Sequence, residues 1–179
     1  MSFQKLCGRR LRFLQAGSFS LSAAEIFSLL TKIFMANYTD WRGLIRPQSL
    51  LGPTRRFAYD PTHPRPAKVS GVAFAQAVRE VATFCQKQNR VPNEVWIGSQ
   101  SISPPDYLAT LAAFTRLPQE KLPAEIEIIT GKFTADKYVA DDDPKIFNWV
   151  IHPEGFHAPK IMELAKLQAW TLKPAVMKK

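Results

Sequence analysis

At 179 residues the chain can bury one ordinary core with extensions, and 46% apolar against 22% charged content excludes an intrinsically disordered segment. No apolar stretch reaches the roughly 18 uncharged residues that a spanning helix needs. The net charge of +9 points towards an anionic partner, but residues 1–70 carry eleven Lys/Arg against three Asp/Glu and residues 71–179 thirteen against twelve. Phosphate neutralisation supplies most of the affinity of a nucleic-acid binder, so a near-neutral folded part makes nucleic acid an unexpected partner.

In chain order, residues 1–34 contain Arg9, Arg10 and Arg12, several serines and a single acid, Glu25. Arg-rich, acid-poor leaders act as targeting segments. Residues 1–34 are therefore expected to be a processed leader or a dispensable upstream extension, with Met35 a candidate natural start. Ser22 with Glu25 three residues later makes a capping-box pattern before Ile26, Phe27, Leu29, Leu30 and Ile33, which predicts a helix over 23–35. Residues 35–68 are expected to form a Pro-rich basic arm or linker. Pro47, Pro53, Pro61, Pro64 and Pro66 fall there among basic and small residues, and no period of 2 or 3.6 survives. The domain boundary is expected near Lys68, with an α+β domain over 69–179.

Ser70 can cap a helix over 71–88 whose apolar positions Val72, Phe74, Ala75, Val78, Val81, Ala82 and Cys85 recur at helical spacing. Asn89-Arg90-Val91-Pro92-Asn93 turns the chain, and Glu94–Ile97 with Ser101–Ile102 predicts a small hairpin about Gly98-Ser99-Gln100. Ser103 caps a second helix, with Pro104 and Pro105 in its first turn and Asp106 near the positive end of the dipole. Tyr107, Leu108, Leu111, Ala112 and Phe114 form its buried stripe. A strand is expected at 126–129, a short helix capped by Thr134, a break at Asp141–Asp143 and another strand at 147–151. Pro159 then starts a last helix that buries Ile161, Leu164, Ala165 and Leu167. Short strands interleaved with helices favour a small single α+β domain with a helix–hairpin–helix core.

Residues 76–114 resemble the pseudomurein-binding repeat, a cell-wall-binding unit. The resemblance rests on Asn89-x-x-Pro92-Asn93, on Val95-x-Ile97-Gly98, and on Ser103 opening a helix that bears Tyr107-Leu108-x-x-Leu111. It covers about 40 of the 179 residues and a single copy, where the family uses several. It implies binding of envelope polysaccharide or a peptidoglycan-like polymer, at the cell envelope or outside the cell.

Among candidate functional residues, Trp96 alternates with Val95 and Ile97 and so faces away from them. A ring exposed there could stack on a sugar, with Ser99 and Gln100 offering hydrogen bonds. Burial against a second layer is the competing reading. His152, Glu154 and His157 are candidate metal ligands, although Pro153 and Gly155 place them on a loop and not on an HExxH helix. His157 could instead cap the following helix. Asp141-Asp142-Asp143 lacks the calcium-loop spacing. Ser99 and Ser101 lack a nucleophile elbow, and Gly131-Lys132 is not a phosphate-cradling loop. Cys7 and Cys85 form no CxxC pair. The expected function is a non-catalytic accessory module without cofactor or resident metal. It would bind cell-wall polysaccharide or a partner protein, as the C-terminal part of a larger envelope or carbohydrate-active protein. The alternatives are a small metal-dependent hydrolase using His152–His157 and Asp141–Asp143, and an anion or nucleic-acid contact through the basic arm.

Overall fold

The computed structural model describes residues 10–11, 14–16, 19–59, 61–62, 64–114, 122–133 and 150–173. Ser22 and Glu25 form the expected capping box. The Glu25 N–H donates to Ser22 Oγ (3.3 Å) and the Ser22 N–H to Glu25 Oε2 (2.9 Å), so two orphan donors of the first turn are satisfied. The helix they start, α1, runs Ala23–Tyr38. Two further helices, α2 (Gly71–Gln88) and α3 (Pro104–Phe114), pack on it. Between them lies the hairpin of β5 (Val95–Ile97) and β6 (Gln100–Ile102), joined by Gly98-Ser99 with Gly98 at φ 62°. A glycine accepts that left-handed backbone without a Cβ clash. Short strands complete the fold. β1 (Arg10–Leu11) pairs in parallel with β8 (Lys132–Phe133), β2 (Leu14–Ala16) pairs antiparallel with β3 (Phe19–Leu21), and β4 (Lys68–Ser70) pairs antiparallel with β7 (Glu125–Glu127). A last helix, α4, spans Pro159–Gln168. The architecture is a small single α+β domain, as the pattern predicts.

Aromatic rings fill the space between the helices. Phe34 of α1 meets Phe74 of α2 at 5.5 Å and Phe114 of α3 at 5.7 Å, both edge-on. Phe27 lies 5.0 Å from Tyr107 and 6.0 Å from Trp170. Edge-to-face and tilted pairs at these separations add to the transfer energy of burying large rings. The buried Tyr107 hydroxyl sits 3.3 Å from Thr31 Oγ1, which in turn donates to the Phe27 carbonyl.

Several expectations need correction. The segment expected to be dispensable up to residue 34 contributes α1, and Phe27, Leu30 and Phe34 lie in the same core as α2 and α3. The core therefore crosses the boundary expected near Lys68. An amphipathic pattern reveals that a face is apolar, but not what covers it. Ser70 occupies the N-cap of α2 without a side-chain cap bond; it pairs in β4, and the Gly71 N–H donates to the Ala124 carbonyl (2.8 Å). Val72 faces solvent. The hairpin turn is two residues, with Gln100 already paired opposite Ile97. The strand expected at 126–129 starts one residue earlier and ends at Glu127. On α4, Leu167 is buried but Ile161 is 59% and Leu164 57% exposed. Val150 and Ile151 form a turn where a strand was expected. The expected helix after Thr134, Asp141–Asp143 and most of the strand at 147–151 lie outside the described residues, as does Cys7.

Because Phe34 is fully buried among three rings, Phe34→Ala should cost about 3–5 kcal/mol, seen as a large fall in the chemical denaturation midpoint. An unchanged midpoint would show that α1 is peripheral after all.

Glu25 also accepts an ion pair from Lys173 (2.6 Å), while the Ala24 N–H donates to the Trp170 carbonyl (2.9 Å). Burial works to raise the Glu25 pKa, but the Lys173 ammonium and the Ser22 donors outweigh it and hold the carboxyl below its usual value. A depressed carboxyl contributes stability above its unfolded pKa and loses it as pH falls through the folded value. Glu25→Gln should therefore lower the midpoint at neutral pH, and the difference from the parent should shrink as pH falls below the usual carboxylate range. A difference that persisted in acid would overturn the ion-pair account.

Candidate functional site

The Pro-rich arm is fastened to the domain along the turn that follows α2. That helix ends on Asn89, which takes φ 50°, a left-handed value that asparagine tolerates at a C-cap. The Leu51 N–H donates to the Asn89 carbonyl (3.0 Å) and the Val91 N–H to the Leu51 carbonyl (2.9 Å), a parallel bridge. Asn93 then accepts at Oδ1 from the Thr54 N–H (2.7 Å) and the Arg55 N–H (3.3 Å). Arg55 also reaches Glu94 at 3.2 Å. The predicted Asn-x-x-Pro-Asn turn is thus the rail on which the arm lies.

Further along, Tyr59 closes a clasp on α3. Its hydroxyl donates to Asp106 Oδ2 (2.7 Å) and accepts from the Ser103 N–H (2.9 Å). The other carboxylate oxygen, Oδ1, accepts from the Gly131 N–H (2.7 Å), so the 3% exposed Asp106 is fully engaged. A Cβ on Gly131 would stand 2.0 Å from the Pro105 carbonyl oxygen, so only glycine allows that approach. Ser103 Oγ caps α3 as expected, accepting from the Asp106 N–H at 3.1 Å. Burial, with the adjacent Asp106 carboxylate, pushes the Tyr59 phenol well above its ordinary pKa, so it stays a donor throughout the working range.

With the arm held in this way, a groove of about 600 Å3 opens between it and the hairpin. Trp96, Ser99 and Gln100 line the hairpin side and Arg56, Phe57 and Arg65 the arm side. Trp96 is 55% exposed and lies opposite Ser101 on the outer face of the hairpin, while Val95 and Ile97 are buried. The structure thus brings together all three residues singled out as binding candidates. The basic arm was expected as an alternative anion contact, but Arg56, Phe57 and Arg65 were not singled out, because a stretch without periodicity reads as a linker. Their only signal is the basic-aromatic run Arg55-Arg56-Phe57 between prolines. The charge reading changes accordingly, since these arginines belong to the folded surface that carries Trp96.

The metal candidates do not assemble. Among the described residues no group of three His, Cys, Asp or Glu side chains could hold an ion. The His152 ring stacks on Phe156 (5.0 Å, 11°). The N-cap position of α4 is taken by Ala158 and not by His157. Cys85 is buried, and burial pushes its thiol up to about 12, which keeps it protonated and unreactive. Among the described residues no helix is long and apolar enough to cross a membrane. Comparison with protein-family models, with curated proteins and with solved structures returns no match.

Tyr59→Phe leaves a buried carboxylate oxygen without its donor, a loss of about 1–3 kcal/mol. The expected result is faster tryptic cleavage after Arg55 and Arg56 with the global midpoint lowered only by that amount. Cleavage at the parent rate would show that the clasp does not hold the arm.

Proposed function

We propose that this chain is a non-catalytic binding module whose ligand is a polysaccharide of the cell wall. One observation carries the reading. An exposed Trp96 shares an open groove with Ser99 and Gln100, and Phe57 stands in the opposite wall. A sugar offers an apolar ring face and a rim of hydroxyls. An indole can cover the face, while a hydroxyl and an amide can both donate to and accept from the rim. An aromatic anchor with a few placed polar groups is the usual composition of a small-molecule or glycan subsite.

The resemblance to the pseudomurein-binding repeat adds support. The helix, the Asn89–Asn93 turn, the strand followed by Gly98 and the Ser103-capped helix occur in the order of the repeat. On this reading Asn93 has a second use, because it fixes the arm that forms the far wall.

Retention on isolated, insoluble cell-wall material tests the reading. The parent chain should be pulled down, and Trp96→Ala should lose about 30-fold or more in affinity, the scale of an aromatic hot spot. Its denaturation midpoint should move by no more than about 0.5 kcal/mol, since the ring is largely exposed. Undiminished retention of Trp96→Ala would remove the groove from consideration.

A further inference from the structure

We propose that the groove selects an acidic polysaccharide, one whose carboxylates are spaced along a sugar chain. This inference rests on the polysaccharide reading and adds the charge of the ligand. A second concavity of about 340 Å3 lies across the arm from the first, and Arg55, Arg56 and Arg65 line both. The arm is therefore a ridge between two adjoining depressions, a shape that follows an extended chain better than it encloses a compact solute. Lys132 and Lys166 line the second depression.

Among the described lining residues these five cations face two carboxylates, and both carboxylates are already engaged. Glu94 holds Arg55 at 3.2 Å, and Asp106 accepts from Tyr59 and from the Gly131 N–H. Arg65 donates to the Ile128 carbonyl at 2.8 Å. Arg56 and Lys132 are exposed and make no ion pair among the described residues. Among the described lining residues positive charge exceeds negative, with the uncommitted cations at two separated points. A nucleic acid presents a phosphate at every nucleotide and gains affinity from neutralising many of them together. Two uncommitted cations, Arg56 in the groove with Trp96, Ser99 and Gln100 and Lys132 in the adjoining depression, suit a polymer with fewer anions and many hydroxyls.

The test uses the full chain and three probes: hyaluronan with one carboxylate per two sugars, the same polymer with its carboxyls reduced to alcohols, and single-stranded oligothymidylate. At roughly 50 mM salt, hyaluronan should bind about ten-fold tighter than its neutral counterpart, and the difference should collapse near about 500 mM as screening shortens the field. The double variant Arg56→Ala/Lys132→Ala should lose the same ten-fold on hyaluronan and nothing on the reduced polymer. Both side chains are exposed, so the variant should keep the parent's denaturation midpoint. Trp96→Ala should weaken both glycans alike. Equal binding of hyaluronan and its reduced form overturns the charge inference while leaving the polysaccharide reading in place. Tighter binding of oligothymidylate than of hyaluronan overturns it in favour of a nucleic-acid groove. Binding to neither glycan overturns the inference, while the reading beneath it falls only if the parent chain is also not retained on cell-wall material.

Discussion

The site depends on the way a proline-rich strand of chain finds hydrogen-bond partners. Proline has no N–H, and its neighbours are held in extended backbone, so residues 46–66 cannot form a helix or a ladder of their own. Their polar groups are met by other parts of the fold. Leu51 bonds to the Asn89–Val91 backbone, Thr54 and Arg55 to the Asn93 side chain, Tyr59 to Asp106 and Ser103, and Arg65 to the Ile128 carbonyl. Each bond contributes about 0.5–1.5 kcal/mol in net terms, more where a carboxylate accepts, and together they fix a segment that would otherwise retain the entropy of a free linker. Without that fixation the hairpin would present Trp96 on an open surface with no second wall.

The two walls differ in chemistry because they differ in origin. The hairpin is short and antiparallel, and alternation buries Val95 and Ile97 while sending Trp96 outward. It supplies a ring and neutral polar groups. The arm lies on the surface, where long cationic side chains can keep their heads in water while their stems cover apolar ground. It supplies the charge. The Arg55–Glu94 pair joins the two walls, and being partly exposed it is worth little as stability. Its effect is positional. It consumes one guanidinium and one carboxylate at the same place, leaving Arg56 to set the sign of the field there.

The sequence made the helices legible because each carries a long apolar period or a strong cap. The Ser22–Glu25 box, the stripe from Phe74 to Cys85 and the Ser103 cap all fall where the structure has them. The hairpin was readable from alternation and Gly98. Partnership was not readable. The stripe on α1 does not say that Phe34 will meet Phe74 and Phe114, and that on α4 does not say that Ile161 and Leu164 will stay outside. The pairing of Lys68–Ser70 with Glu125–Glu127 joins three-residue strands more than fifty positions apart, too short to show a period. On the site, Trp96, Ser99 and Gln100 were legible because they belong to a regular element. Arg56, Phe57 and Arg65 were not, because an extended arm shows no period that would tell which side faces the domain.

This asymmetry bears on how selectivity can arise in such a small fold. A hairpin tip alone offers one aromatic surface, and stacking on a ring discriminates poorly among sugars because every pyranose has an apolar face. Discrimination needs a second element held at a fixed distance, so that wrong ligands leave polar or charged groups unmet. Regular structure could supply it only by adding another strand or helix. Here an irregular segment serves instead, and its rigidity comes from a few anchors in place of a ladder. The anchors are the Asn93 side chain at one end and the Tyr59–Asp106 clasp at the other, and Arg56 and Phe57 lie between them. A span of five residues pinned at both ends has little freedom left to lose when a ligand arrives. The ordering cost of the charged wall is therefore met in folding, and the ligand gains most of the contact energy it makes.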